Sequence, residues 1–475
     1  MATVPDDVFF ASIIDLTNRL RAREFSSVEL TRAFCDRLER IGPRYNTLAL
    51  SLREQAIRKA HDVDDELKRG RYRALQGIPY AVKDLFAVKG HPTTWGARPY
   101  AGQVFDEDAR VVQKLDKSGA ILIGKLAMIA LAGGGYKTAG ASLTGPCLNP
   151  WDRTRWAGGS SSGSGAAASA GMITFALGTE TNGSIVTPSA YCGVTGLRPT
   201  YGLVSRSGVM AASWTMDKVG PICRSAEDCG LVLQAIAGGD IRDPGSAGKG
   251  FSYAPQFARK PQELTVGYSP ADFAEWVDPA ARPAFQTALD AVKSLGVKLK
   301  EIELPDFPYG AVADTISRGD RVSIFEDLIR SGKVDELADK FQSAWLKESM
   351  DLTAREYLRA QRIRSLIQEA FRSLFIDVDM ILAPSRIDVA PRITDPIDAG
   401  GTRNPEPKSP GIHGRLVSAG NLAGLPAIAL PCGFAGNLPV GISFVGRPWT
   451  ENHLIGIGRL FQSQTDWHRR RPPLE

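Results

Sequence analysis

Between Trp156 and Gly165 the chain reads WAGGSSSGSG, four serines and four glycines in ten residues, and runs without a break into AAASAGMITFAL. No other stretch restricts the fold as much. Side chains this small let backbone crowd against backbone, and the apolar run that follows has to be buried. A Gly/Ser linker is flanked by polar, unstructured sequence, so the helix-forming alanines argue against a linker. A phosphate loop needs a lysine after its second glycine, and none follows here. Gly163, Gly165 and Ala168 fit G-x-G-x-x-A, but that fingerprint requires a buried strand before it, and NPWDRTRWAGG is polar. Gly159, Ser161 and Gly163 also spell G-x-S-x-G, the nucleophile elbow of α/β-hydrolases. Asp379 or Asp388, with His413 or His453, are available to complete such a triad. The missing strand counts against this reading too, which stays open at this point.

A second serine, Ser184, stands in GTETNGSIVTPSAYCG. The small residues from Gly178 to Gly183 form either an ordinary capping turn or a nest of backbone N–H groups aimed at one point. In the second case Ser184 has its own oxyanion hole. Neither serine has a neighbouring histidine to serve as base. Lys83, in GIPYAVKD, continues an apolar strand pattern. It is either a lysine snorkelling from a strand end or a buried amine whose ordinary pKa of about 10.4 falls by roughly 3–5 units on desolvation.

Ser26 and Glu29 have capping-box spacing, with Leu30, Phe34, Leu38 and Ile41 on one helical face. GIPYAVKD and AILIGK read as buried strands, separated by a helix over Arg110 to Lys117. This alternation predicts an α/β fold, a sheet with helices on both faces. Residues 241–330 read as Pro-rich and irregular. From Ile324 to Phe375 the pattern is helical, with Phe325, Phe341, Trp345 and Leu346 either shaping a lid or only packing the fold. LPAIAL and VGISFV return to strands. No composition break marks a linker, so the map is one domain over 1–475: N-terminal helices (1–70), a core (71–240), a largely helical excursion (241–410) and a return to the sheet (411–475).

The 475 residues are 43% hydrophobic and 23% charged, as in soluble globular proteins. A net charge of +5 gives no warrant for a nucleic acid or an anionic membrane as partner. The basic cluster from His468 to Arg471 reads as a solvated tail. The six cysteines include no C-x-x-C pair, which predicts reduced, mostly buried thiols. No basic n-region opens the chain, and no stretch reaches the roughly 18 apolar residues of a membrane span. A soluble, cytoplasmic protein is expected.

IPYAVKD, AGGSSSGSGAAASAG and GTETNGSIVTPSAYCGVTGLRPTYGLVSRSG, in this order and spacing, resemble the amidase signature family of serine hydrolases. SSVELTRAF, LNPWD, MDKVGPICRSAEDC, AGNLAGLPAIALPCGF and LPVGISFVGRP extend the resemblance over nearly the whole chain, fading between about 241 and 400. It implies a large mixed twisted sheet covered by helices on both faces, and a Ser–Ser–Lys mechanism. Ser184 would be the nucleophile, Lys83 the base, and Ser160, on a cis peptide bond, the relay between them. Thr181, Asn182, Gly183 and Ser184 would supply the oxyanion hole. No metal or organic cofactor is required.

Many members of the family carry aspartate, glycine and arginine where this chain has Glu180, Asn182 and Val186. On that basis the chain resembles free-standing peptide-amidase and aryl-amidase members more than the amidotransferase A subunit, which prepares ammonia for tRNA-linked amide synthesis. Gly133, Gly134, Gly135 and Tyr136 are expected to line the acyl pocket with Asn182, although Tyr136 reads equally as a packing residue. The apolar loop points to an uncharged, bulky or aromatic amide, ester or carbamate, hydrolysed by a monomer or homodimer with no nucleic acid and no membrane partner. The amidotransferase reading and the Ser161 elbow are the alternatives.

Overall fold

The computed structural model describes residues 4–257, 259–397 and 413–474. The strand-like runs of the sequence become thirteen strands. In chain order these are β1 (Leu48–Ser51), β2 (Pro79–Lys83), β3 (Ile121–Leu126), β4 (Leu148–Asn149), β5 (Asp152–Trp156), β6 (Phe175–Glu180) and β7 (Thr195–Arg198). There follow β8 (Lys218–Cys223), β9 (Thr265–Tyr268), β10 (Lys298–Glu301), β11 (Met380–Pro384), β12 (Ala427–Ala435) and β13 (Leu438–Gly446). Eleven form one mixed sheet in the order β1-β3-β2-β6-β8-β7-β12-β13-β11-β9-β10. β4 and β5 form a separate two-stranded ribbon.

β2 lies parallel to both β3 and β6, with Lys83 opposite Leu126 and Tyr80 opposite Phe175. All its residues are buried, which is why PYAVK shows no polar alternation: a strand covered on both faces needs none. The Tyr80 and Phe175 rings stack across the pair at 5.0 Å. Helices pack on both faces of the sheet around one large apolar core. A second core forms where the helices Tyr309–Ile324, Ala354–Asp377 and His413–Leu422 meet.

The predicted capping box is present at Ser26, opening the Ser27–Ile41 helix. The Arg110–Lys117 helix also appears as read. All six cysteines are buried and unbridged. Among the described residues, no helix is long and apolar enough to cross a membrane.

Two expectations are corrected. The irregular segment 241–330 contains β9, β10 and the helices Arg282–Ser294 and Tyr309–Ile324. Together with β11 it builds one end of the main sheet, so 241–410 is more than a helical excursion. The signal was weak because β10 reads KLKE and pairs at the sheet edge, where solvent removes the need for an apolar pattern. A strand does precede the serine run, but β5 belongs to the small ribbon and not to the sheet.

Candidate active site

Lys83 ends β2, which lies between β3 and β6 in the sheet, and is fully buried. Its Nζ lies 2.7 Å from Ser160 Oγ and 3.0 Å from Thr179 Oγ1. Burial pulls the ammonium down to about 7; Asp217 and Glu180 oppose the shift and Arg321 adds to it. Lys83 is thus a buried amine with a lowered value, not a lysine snorkelling from a strand end.

The serines of the quoted run are not equivalent. Ser161 Oγ donates to the Thr179 carbonyl at 3.2 Å and accepts from the Thr179 N–H at 3.3 Å. Ser164 Oγ donates to the Leu177 carbonyl at 3.3 Å. Both fasten the Ser162–Ser169 helix to β6. Ser160, reached through a cis Gly159–Ser160 peptide, is the one beside Lys83. Gly163 explains the composition: a Cβ there would sit 2.7 Å from the Ala127 nitrogen and the Thr47 carbonyl oxygen. This helix start can approach the exit of β3 only without a side chain.

Past β6 the chain turns through Thr181–Ser184 into the Val186–Cys192 helix. Glu180, fully buried, fixes that turn. One carboxylate oxygen accepts from the N–H groups of Ile185 (2.8 Å) and Val186 (3.0 Å). The other meets Arg198 Nη1 at 2.7 Å and Asn421 Nδ2 at 2.8 Å. Burial alone would raise the carboxyl, but the Arg198 guanidinium and these donors hold it at about 2. Thr181 Oγ1 donates to Asp217 at 2.6 Å, and Asp217 also accepts from the N–H groups of Ala212 and Ser213. Among the described residues, the N–H groups of Asn182, Gly183 and Ser184 have no acceptor within the chain. The Asn182 side-chain oxygen is buried and likewise unpartnered.

These groups open on a cavity of about 430 Å³. Thr181, Asn182, Gly183 and Ser184 line one side, and Gly133, Gly134, Gly135 and Tyr136 another. Tyr136 both lines the cavity and packs edge-to-face on Trp156 at 6.2 Å. The loop is left-handed throughout: Leu131 (φ 53°), Ala132 (φ 56°), Gly133 (φ 101°), Gly134 (φ 92°) and Gly135 (φ 70°). Trp345 lies directly on it, 2.3 Å from where a Gly135 Cβ would stand. Gly135→Ala is accordingly expected to lose about 1–3 kcal/mol of stability through overpacking, read from urea denaturation, with slower turnover.

The helical block is no separate lid. Arg321 donates to the carbonyl of Leu131 (2.6 Å), Gln342 to those of Ala130 (2.9 Å) and Gly133 (3.1 Å), and Asp339 accepts from the N–H groups of Lys137 and Thr138. Trp345 lines the cavity, Phe325 and Leu346 are core residues, and Phe341 is exposed.

The expectation of an apolar pocket is corrected. Arg155, Arg321, Arg386, Asp278, Asp314, Asp388 and Asp395 all line the cavity. Most come from stretches where the family resemblance fades, and the apolar loop in the sequence represented only one wall. Among the described residues the elbow triad does not assemble. Ser161 is spent on β6. Asp379 is held by Arg259 and the Thr265 N–H, Asp388 accepts from Tyr191 at 3.1 Å, and His453 lies on the Glu451–Gln464 helix. The His413 side chain lies outside the described residues.

A family model described as Amidase matches residues 29–455. The chain belongs to the amidase family. As an amidase-family enzyme it acts on C–N bonds. The A subunit of the glutamyl-tRNA(Gln) amidotransferase of Methylococcus capsulatus is 36% identical over 485 residues, covering 97% of this chain and 98% of the relative. A solved amidase-fold protein, from a vestigial complex described in connection with the origins of an s-triazine catabolic enzyme, superposes with a TM-score of 0.86 at 30% identity, covering 96% of this chain and 98% of its own. The peptide amidase of Stenotrophomonas maltophilia gives 0.83 at 30% identity, covering 98% of each chain.

The closeness to free-standing amidases read from Glu180, Asn182 and Val186 is therefore corrected. Relatives 35–36% identical over nearly the full chain are named as A subunits of the glutamyl-tRNA(Gln) amidotransferase. The physical reason lies in the turn itself. Glu180 finds its cation in Arg198, so the loss of arginine at 186 leaves the turn's ion pair in place and reports local packing rather than partnership. The same relatives overturn the expectation of a monomer or homodimer acting on a small amide, ester or carbamate without nucleic acid, because their name includes a tRNA. A whole-chain charge of +5 does not report contacts that other chains of a complex make.

Proposed function

We propose that this chain is the amide-hydrolysing component of a glutamyl-tRNA(Gln) amidotransferase, releasing ammonia from glutamine for use on glutamate-charged tRNA held by partner chains. The near full-length match to the A subunits of such enzymes carries this reading. The cavity supports it, because glutamine bears a carboxylate and an ammonium, and the wall offers arginines and aspartates.

In the proposed chemistry, neutral Lys83 accepts the Ser160 proton as Ser160 takes that of Ser184. Ser184 Oγ attacks the side-chain amide carbon. The N–H groups of Thr181 to Ser184 hold the oxyanion, each such donor supplying about 2.7–4 kcal/mol in comparable sites. Ser160 then protonates the leaving nitrogen, ammonia departs, and water cleaves the glutamyl-enzyme.

The test compares ammonia release from glutamine by the isolated chain and by the complex recovered with it from its own cells. Release is expected to rise roughly 5–150-fold in the complex, the span of ordinary coupling between sites, and to depend on glutamate-charged tRNA. Recovery without partners, together with faster cleavage of anilides or peptide amides than of glutamine, would overturn the reading.

A further inference from the structure

We infer that Thr187 and Asn182 read the leaving nitrogen of the substrate. The Thr187 hydroxyl and the Asn182 side-chain oxygen accept its two N–H groups, so the site favours an unsubstituted carboxamide. This rests on Ser184 as the nucleophile proposed above, and it names the reacting group that the same site takes.

Thr187 stands on the Val186–Cys192 helix, three residues after Ser184, is 8% exposed and lines the catalytic cavity. A threonine or serine within a helix turns its hydroxyl to solvent or bonds it to the carbonyl four residues back. Ser189 takes the second course on this helix, 2.8 Å from the Ile185 oxygen, as do Thr17 (2.7 Å) and Thr315 (2.8 Å) on other helices. Thr187 takes neither. Its backbone N–H donates to the Gly183 carbonyl at 2.8 Å, but among the described residues its hydroxyl has no partner. Asn182 lines the same cavity, and its Oδ1 is buried and unpartnered. The other polar side chains of this stretch are committed: Thr181 donates to Asp217 at 2.6 Å and Tyr191 to Asp388 at 3.1 Å. Leaving buried acceptors unpaired is costly, and a substrate that brings two donors removes that cost.

The placement fits the leaving group. A Cβ on Gly183 would stand 3.3 Å from Thr187 Oγ1, and one on Gly158 would stand 3.2 Å from the Thr187 carbonyl carbon. Thr187 therefore fills the corner where the oxyanion turn meets the chain entering Ser160. In the proposed chemistry the leaving nitrogen lies in that corner. Its carbon is bound to Ser184, the oxyanion is held by the N–H groups of the turn, and the proton it takes comes from Ser160. As the C–N bond breaks, its electron pair passes to nitrogen, which accepts the Ser160 proton and departs as ammonia. Thr187 and Asn182 exchange no proton; they accept hydrogen bonds from the nitrogen throughout. A primary carboxamide nitrogen offers two donors, an N-alkylated one offers one, and an ester oxygen offers none.

The test measures the ratio of kcat/KM for an amide to that for the methyl ester of the same acyl group, on the full chain with any partners recovered with it. Two pairs are used: glutamine with glutamate γ-methyl ester, and benzamide with methyl benzoate. Both members of a pair meet the same enzyme sample, so a loss of folded protein cancels in the ratio. In Thr187→Val, which keeps the shape and drops the hydroxyl, the ratio is expected to fall roughly 3–10-fold, the worth of one hydrogen bond. Thr187→Ser should restore it. Asn182→Gly, which removes the second acceptor, should lower it over the same span. A ratio unchanged in Thr187→Val or Asn182→Gly, or not restored in Thr187→Ser, overturns the inference. So does wild-type cleavage of the N-methylated amide as fast as the amide itself, or of neither amide at all. Turnover of benzamide with none of glutamine would instead overturn the proposed function, and the benzoyl pair would still read the two residues.

Discussion

Ser184→Ala is expected to lower ammonia release from glutamine by on the order of 10⁶-fold, the loss found when the serine of a comparable catalytic unit is removed. The size follows from the arrangement. In the proposed mechanism the three side chains act as one proton path; Lys83 Nζ lies 2.7 Å from Ser160 Oγ, and Ser184 stands at the cavity wall beside free N–H groups. Members of such a unit do not add, so Lys83→Ala combined with Ser184→Ala should be no slower than Ser184→Ala. Ser161→Ala, by contrast, removes two bonds to the Thr179 backbone and touches no proton path. It is expected to cost about 0.5–1.5 kcal/mol per lost bond in stability while keeping turnover. Single-turnover ammonia release and urea denaturation of these variants separate the outcomes.

Glu180→Ala is expected to cost about 3–5 kcal/mol, the penalty for removing one partner of a buried ion pair. Arg198 would be left charged at 1% exposure, and the donors of Asn421, Ile185 and Val186 would lose their acceptor. Because Ile185 and Val186 directly follow Ser184, turnover should fall with stability. The pH dependence has a definite sign. The folded Glu180 carboxyl sits at about 2 against an ordinary 4.5, so its contribution is complete above the unfolded value and is lost as pH falls from there towards about 2. Guanidinium denaturation should therefore show the difference between wild type and Glu180→Ala narrowing across that window. A difference that is constant from neutral to acid pH would contradict the ion-pair account.

What the sequence made legible was local. PYAVK and ILIGKL are apolar enough to announce buried strands, and Ser26 with Glu29 announces a helix start in four residues. Lys83 stood out because a cation in such a strand breaks the pattern. Among the serines, however, the residues alone left the Ser161 elbow open, and Ser160 was singled out only through the family resemblance. The choice between them depends on which hydroxyl faces β2 and which faces β6, and identical neighbouring side chains carry no mark of direction. The charged cavity wall was illegible for another reason. Arg155, Arg321 and the stretch carrying Arg386 and Asp388 lie far apart in the chain with no shared period, brought together only by the fold. Arg198 was hidden likewise, since nothing near it in sequence tells that it meets Glu180 at the other end of the turn. β9 and β10 were missed because such short strands take their identity from pairing, β10 with β9 at the sheet edge and β9 with β11, more than a hundred residues of chain away.

Ser184, and no serine of the WAGGSSSGSG run, is expected to form the covalent bond on which the whole mechanism depends. Fluorophosphonate labelling followed by mass mapping of the modified peptide tests this most directly. One adduct should be found, on Ser184, retained in Ser161→Ala and absent from Ser184→Ala and Lys83→Ala. An adduct on Ser160 or Ser161, or undiminished labelling of Ser184→Ala, would contradict it.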